Sequence, residues 1–317
     1  MSNTEQPIDL NNQVVLMRKY VNFQQDAKMK EFLVYTGYFR ASRYGKYLLA
    51  QVNALGGKAD LKDILSLYNF DTQLRLLLFK YCKKAEVYFK SAVSNAVSLR
   101  TGDAGFYLDK KSYTPSKSEK GKKTRKKNVS YFDTRFFVDL TDKEEALRRD
   151  ILKHPELKEY RKGGKHQNSI LPVWAAFSYF EMGTIVMLYS YLRGDLRKEV
   201  LDYTYSGSKY KKEVTKQMDT WLDAVRNLRN YCAHHSMLIG MTSSVVISDN
   251  RDCPSVLPSN TNLYSRLYAL KKILPQKDAE EMPKELSCLI ANTKLDIFKL
   301  NILPANWKDL YDKILYL

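Results

Sequence analysis

The residues best suited to chemistry lie between Trp221 and Ser236, in the stretch WLDAVRNLRNYCAHHS. At about 100° per residue on a helix, Trp221, Val225, Leu228 and Cys232 share one side, and Asp223, Arg226, Asn227, Asn230 and His234 share the opposite one. A solvent face in so charged a chain would favour Lys and Glu. Arg, two Asn and a His instead make a set suited to gripping an oxyanion and passing it a proton. Arg229 and His234 form R-x-x-x-x-H, a spacing that puts them about 140° apart on a straight helix. Acting on one group therefore requires Arg229 to reach around the edge, the helix to deform, or two copies of the chain to meet; the expectation is the last, helped by the first. His235, about 140° from Asn230 by the same arithmetic, falls nearer the apolar side and is expected to be a packed, hydrogen-bonded support. The bland reading of the same residues is a helix whose two C-terminal histidines are favoured by its dipole.

Other chemistries have less to stand on. Cys82, Cys232, Cys253 and Cys288 form no C-x-x-C pair, and there is no H-E-x-x-H and no spaced Cys/His set, so no metal site and no cofactor is expected. Gly163-Gly164-Lys165 lacks the upstream Gly and the following Ser or Thr of a phosphate-binding loop. His154 and His166 read as surface residues without a catalytic neighbourhood. Tyr38, Arg40 and Arg43 would suit the lining of an RNA groove, or equally the rim of a helix.

The elements that must position these residues read as helices. With 317 residues, 44% apolar and 27% charged, the chain is long enough for one large domain or two small ones and too apolar for wholesale disorder. Asn22 to Leu49 is helical with a break at Gly37, and the Gly- and Pro-free run from Lys58 to Thr101 reads as two helices, the second starting near Asp71 as N-cap and stopping at Gly102. After an apolar piece around Phe136 to Leu140, Thr141-Asp142-Lys143-Glu144 reads as a capping box opening a helix to about Lys153. Leu171 to Leu192 reads as one buried core helix ended by Gly194; it is long enough for a membrane span, but Glu181 and its Ser, Thr, Gly and Tyr residues argue for the core. A helix from about Lys211 to Met237 carries the motif, Ser243 to Asn262 is loop, and Leu263 to Leu317 is two or three short helices.

Charge points to a partner. Lys and Arg number 52 against 35 Asp and Glu, a formal net charge of +17, and 23 tyrosines offer flat faces, so nucleic acid is the partner to expect. Residues 110–127 alone hold nine cations, Lys110, Lys111, Lys117, Lys120, Lys122, Lys123, Arg125, Lys126 and Lys127, against one acid. That segment is expected to be a weakly ordered basic loop, either a solvated linker or a hand for a phosphate backbone. No basic segment followed by an apolar run opens the chain, so a cytoplasmic protein without membrane attachment is expected.

Leu228-Arg229-Asn230-Tyr231-Cys232-Ala233-His234-His235-Ser236 resembles the L-R-N-x-x-A-H-H-S signature of the bacterial Abi-like, abortive-infection proteins of the HEPN superfamily. Gly37-Tyr38-Phe39-Arg40-Ala41-Ser42, Phe70-Asp71 with Leu74-Arg75 and a downstream Glu86, and Leu171-Pro172-Val173-Trp174 with Gly183 resemble further blocks of that family in the same order. The likeness covers roughly residues 14 to 240, with Lys90 where the family has Arg, Ser178 where many members have Glu, and Met237-Leu238-Ile239 in place of R-x-W. It implies an all-α HEPN-type bundle over residues 14–250, with the basic insert at 110–127 and a C-terminal helical extension over 251–317. It also implies a metal-independent endoribonuclease in phage defence or as a toxin, often composite across two HEPN units, with a homodimer and an antitoxin as expected partners.

Elementary chemistry is compatible with that implication. RNA carries its own nucleophile, the 2′-OH, so a proton shuttle and charge stabilisation suffice. His234 would exchange the proton, Arg229 bind phosphate oxygens, Asn230 orient phosphate or imidazole, and Arg226 and His235 support them. The alternative is a non-catalytic module that holds a regulatory RNA or protein partner with the same residues.

Overall fold

The computed structural model describes residues 6–114, 135–150, 153–204, 212–248 and 256–316, and within them it is all-α. Its helices are α1 (Leu10–Met17), α2 (Asp26–Thr36), α3 (Tyr38–Ala50), α4 (Val52–Leu55), α5 (Leu61–Thr101), α6 (Arg135–Arg149) and α7 (Val173–Tyr179). There follow α8 (Met182–Tyr191), α9 (Gly194–Thr204), α10 (Lys212–Ala233), α11 (Leu263–Ile273), α12 (Gln276–Ala291) and α13 (Trp307–Asp312). Among the described residues β-pairing is confined to isolated bridges, Asn22 with Asp60 and Tyr113 with Leu192.

The axis of the fold is α5. With no Gly or Pro to interrupt it, the run expected to give two helices gives one of 41 residues, about 60 Å long. Its N-cap is Asp60 rather than Asp71: Asp60 accepts from the Asp63 amide (3.0 Å) and Asp63 accepts from the Asp60 amide (2.8 Å). Gly102, left-handed at φ +67°, ends it. Asp71 lies mid-helix with no exposed surface, in a stripe of Leu67, Phe70, Leu74 and Leu78. α7, α9, α10 and α12 pack along α5, and α11 lies on α10.

Other boundaries differ from expectation for tertiary reasons. α6 already begins at Arg135 and includes Phe136 to Leu140; Thr141 is not its cap but bonds back to the Phe137 carbonyl (3.0 Å), while Leu140 and Glu144 are buried. The segment expected as one core helix is two, α7 and α8, because Phe180 and Glu181 are extended and Lys90 of α5 takes the Phe180 carbonyl as its acceptor. Gly194 opens α9 rather than ending α8, and no helix of the described residues is long and apolar enough to cross a membrane. At Gly37 the expected break occurs, with φ +77° between α2 and α3.

Candidate active site

The apolar side of α10 is as the periodicity requires: Trp221, Val225 and Leu228 are wholly buried and Cys232 nearly so. α10 runs antiparallel to α5, with Arg229 beside Glu86 and the segment after the helix beside Asp71. The helix stops at Ala233, four residues before its expected end. Ser236 N–H donates to Tyr231 O (2.9 Å) and His235 N–H to Cys232 O (3.3 Å), the paired bonds of a Schellman end. His235 occupies the left-handed position of that end at φ +54°, where glycine is usual.

That ending corrects the expectation for His235. It is exposed, not packed, because helical angles do not carry past Ala233; what it supplies is the turn. His234, one residue earlier, is also exposed, and its ring has no hydrogen-bond partner among the described residues. Asn230 is exposed, and its Oδ1 lies 3.4 Å from Arg229 Nη1. No hydrogen bond or ion pair joins Arg229 to His234 within one chain.

Two buried carboxylates of α5 hold the motif from behind. Glu86, 3% exposed, accepts from Lys83 (3.0 Å) and pairs with Lys90 (2.9 Å), while Arg229 Nε stands 3.8 Å from its Oε2. Burial alone would raise the Glu86 carboxyl, but the hydrogen bonds and charges of Lys90 and Lys83 outweigh it and hold the group below its ordinary value. Arg229 leans over the Phe79 ring at 5.9 Å and stays 30% exposed, so its guanidinium is directed without being saturated. Asp71 closes the other end: it accepts from Leu238 N–H (3.0 Å), Ile239 N–H (3.2 Å) and Tyr44 Oη (2.5 Å), and pairs with Arg75. Burial first, and the Asp71 charge second, push the Tyr44 phenol well above its ordinary value, so it remains a donor. The sequence reading placed Asp71, Arg75 and Glu86 in family blocks without assigning them these tasks; the signal was charge at positions of an otherwise apolar stripe.

The remaining candidates scatter. Arg226 bonds Asp223 (2.9 Å) and lies across Gly183, whose added Cβ would meet Arg226 Cδ at 3.6 Å, so it belongs to the α8 contact rather than to the motif end. Asn227 accepts from Ser243 Oγ (3.1 Å). Arg40 is half-buried and Arg43 exposed on α3, neither with an ion pair among the described residues. Lys110 and Lys111 are exposed in a short 3-10 turn, whereas Lys117, Lys120, Lys122, Lys123, Arg125, Lys126 and Lys127 lie outside the described residues. His154 is half-buried with its ring 4.3 Å from that of Tyr179, not a plain surface residue.

Nearby groups add little chemistry. Burial pushes the Cys232 thiol up to about 12, so it carries no thiolate near neutrality. Against the expectation that the chain holds no close D-x-x-D carboxylate pair, Asp139 and Asp142 form one and line a groove with Glu181. There Lys143 stands 3.6 Å from Glu181 and 3.0 Å from Thr184. Among the described residues no three His, Cys, Asp or Glu side chains gather as metal ligands.

The model of one protein family, described as Abi-like protein, matches residues 31–240, ending just past the motif and the Asp71-bound segment. No curated protein and no solved structure matches the chain.

Proposed function

The chain belongs to the Abi-like protein family, and from that premise and the α10 end we propose that it is a HEPN-type, metal-independent endoribonuclease serving abortive infection or toxin action in the cytoplasm. The observation that carries the reading is the presence, at one helix end, of an unsaturated Arg229 and an exposed His234 without a partner among the described residues. Glu86 of α5 stands behind Arg229, and Asp71 of α5 holds the backbone that follows His234 at Leu238 and Ile239. Arg229 keeps donors for two phosphate oxygens, and the His234 ring is open to a ligand because no protein group occupies it among the described residues.

Because Arg229 and His234 do not touch within one chain, the complete site takes two copies meeting at their α10 ends. One His234 then removes the 2′-OH proton and the other protonates the leaving 5′-oxygen, leaving a 2′,3′-cyclic phosphate. Leu76 at 61% exposed and Val87 at 63% lie on the outward side of α5 near Phe79 and Lys83, an apolar border that a second copy would cover. The exposed cations outside the motif supply non-specific affinity for the RNA backbone. An antitoxin would act by covering the same helix ends.

The test is cleavage of end-labelled single-stranded RNA in excess EDTA, with oligomeric state measured alongside. The wild-type chain should dimerise and yield cyclic-phosphate ends, and His234→Ala should bind RNA while losing at least ~100-fold in rate. Cleavage that needs added metal or survives His234→Ala overturns the reading. Binding without any turnover, weakened by Arg229→Ala, would make the α10 end an RNA clamp instead.

A further inference from the structure

Away from the motif, the end of α6 and the two segments after it border an open basic cleft of about 460 Å³, lined by Arg148, Arg149, Tyr160, Arg161, Lys162 and Gln167 among others. It is a built feature of the fold. Carbonyls at and just past the end of α6 gather around Arg161: its guanidinium donates to Arg148 O (2.9 Å), to Asp150 O (2.7 Å) and to His154 O. Gly164 lets the following loop close, since a Cβ there would sit 2.5 Å from Glu159 O. The loop is tied by His166 N–H to Glu159 O (2.7 Å) and by Gly163 N–H to Gln167 Oε1 (2.8 Å).

The charges in this cleft are poorly compensated. Arg148 is paired with Glu144, which is itself held by the Leu171 amide (2.8 Å), and Arg148 Nε is buried without a partner. Arg161 spends its donors on carbonyls, which satisfy its hydrogen bonds but leave its charge unpaired. Arg149 and Lys162 are exposed, with no ion pair among the described residues, and Glu145 is the one carboxylate in the lining. Concave walls carrying one sign of charge concentrate the field and draw an anion. Beside these cations stands a flat platform: the Tyr160 ring stacks with His166 at 5.4 Å and 28°.

Cations next to an aromatic platform and side-chain amides match a nucleotide unit, an anionic phosphate joined to a flat base. We propose that this cleft is a subsite for single-stranded RNA, with Arg149 and Lys162 on phosphates and Tyr160 under a base. It takes the substrate class of the ribonuclease reading, but it stands on residues that reading does not use.

The experiment is fluorescence anisotropy of a labelled single-stranded RNA 20-mer against the His234→Ala chain in EDTA, over a series of salt concentrations. Arg149→Gln/Lys162→Gln should make the slope of log affinity against log salt shallower by about 1.4, at about 0.7 per phosphate contact. Tyr160→Leu should weaken binding by about tenfold with the slope unchanged. Both charge substitutions fall on exposed, unpaired side chains, so an unchanged melting temperature should accompany them. An unaltered slope in the double variant overturns the subsite. Inorganic phosphate that displaces the RNA as effectively as unlabelled oligonucleotide also overturns it, reducing the cleft to a phosphate site. Cleavage plays no part in this readout: a wild-type chain that cuts no RNA would remove the ribonuclease reading and leave the subsite standing, and the converse holds as well.

Discussion

His235 at φ +54° should be stabilised by glycine, although it belongs to the motif. For an L-residue the left-handed conformation costs about 1–2 kcal/mol, somewhat less for His than for most. Glycine removes that strain, but its greater freedom in the unfolded chain returns about 0.5–1 kcal/mol. The exposed imidazole forms no hydrogen bond among the described residues, so His235→Gly should gain about 0.5 kcal/mol. His235→Val, which resists positive φ most, should lose about 1.5 kcal/mol. Unfolding entropy near 2.1 cal/mol/K per residue over 317 residues makes the total gap of about 2 kcal/mol worth roughly 3 °C in melting temperature. Calorimetry of the three chains in one buffer reads it. If His235→Gly melts below wild type, or His235→Val melts with it, the backbone does not turn there and the helix continues as its periodicity suggests. RNA turnover gives the functional half of the test: His235→Gly preserves the turn, so its rate should fall far less than that of His234→Ala.

Glu86→Gln leaves Lys83, Lys90 and Arg229 facing a neutral amide and should cost about 1–3 kcal/mol in urea denaturation, below the usual figure for a buried pair because Lys83 and Arg229 are partly exposed. Since the folded Glu86 carboxyl lies below its unfolded value, this stability is fully present above the unfolded carboxylate range near pH ~4.3 and is lost as pH falls through the lower folded value. The gap between wild type and Glu86→Gln should therefore close in acid, and one that widens refutes the assignment. Asp71→Asn and Glu86→Gln lie 15 positions apart on α5, about 22 Å, and share no partner. Their stability losses should add within ~0.5 kcal/mol in a double-mutant cycle, and a larger coupling would show that the two carboxylates are not independent supports.

Where local sequence decided an element, the sequence was legible. Gly37 broke the first helical region, Gly102 stopped α5, and the buried side of α10 followed its period. What escaped was decided by contacts between distant segments. The apolar Met237 invites the helix to run on to it, yet α10 stops at Ala233, and Met237, Leu238 and Ile239 are buried in a non-helical stretch where Asp71 takes the Leu238 and Ile239 amides. With His in the position glycine would mark, no local signal announced the end. The same holds at Phe180, where Lys90 captures a carbonyl in a run with no Gly or Pro at the break, and at Asp71 itself, whose residue type invites a cap while its carboxylate serves amides far along the chain. The candidate pair Arg229 and His234 was readable from type and spacing; the supports that orient it were visible only as charges in an apolar stripe.

Under the proposed function, those supports would solve a conflict that a phosphate-binding arginine faces. A carboxylate held bidentate at hydrogen-bond distance fixes a guanidinium but occupies the donors that a phosphate needs. Glu86 avoids this because Lys83 and Lys90 take its oxygens at 3.0 and 2.9 Å, leaving Arg229 at 3.8 Å, close enough to be aimed by charge and too far to be saturated. The weak Asn230 contact at 3.4 Å and the Phe79 ring complete a loose cradle. At the other end the opposite solution applies: Asp71 is fully engaged, by two amides, a phenol and an arginine, because its task is to fix backbone. α5 thus supports the end of α10 in two ways: Glu86 is engaged by lysines and leaves Arg229 free, and Asp71 is engaged by the backbone it fixes.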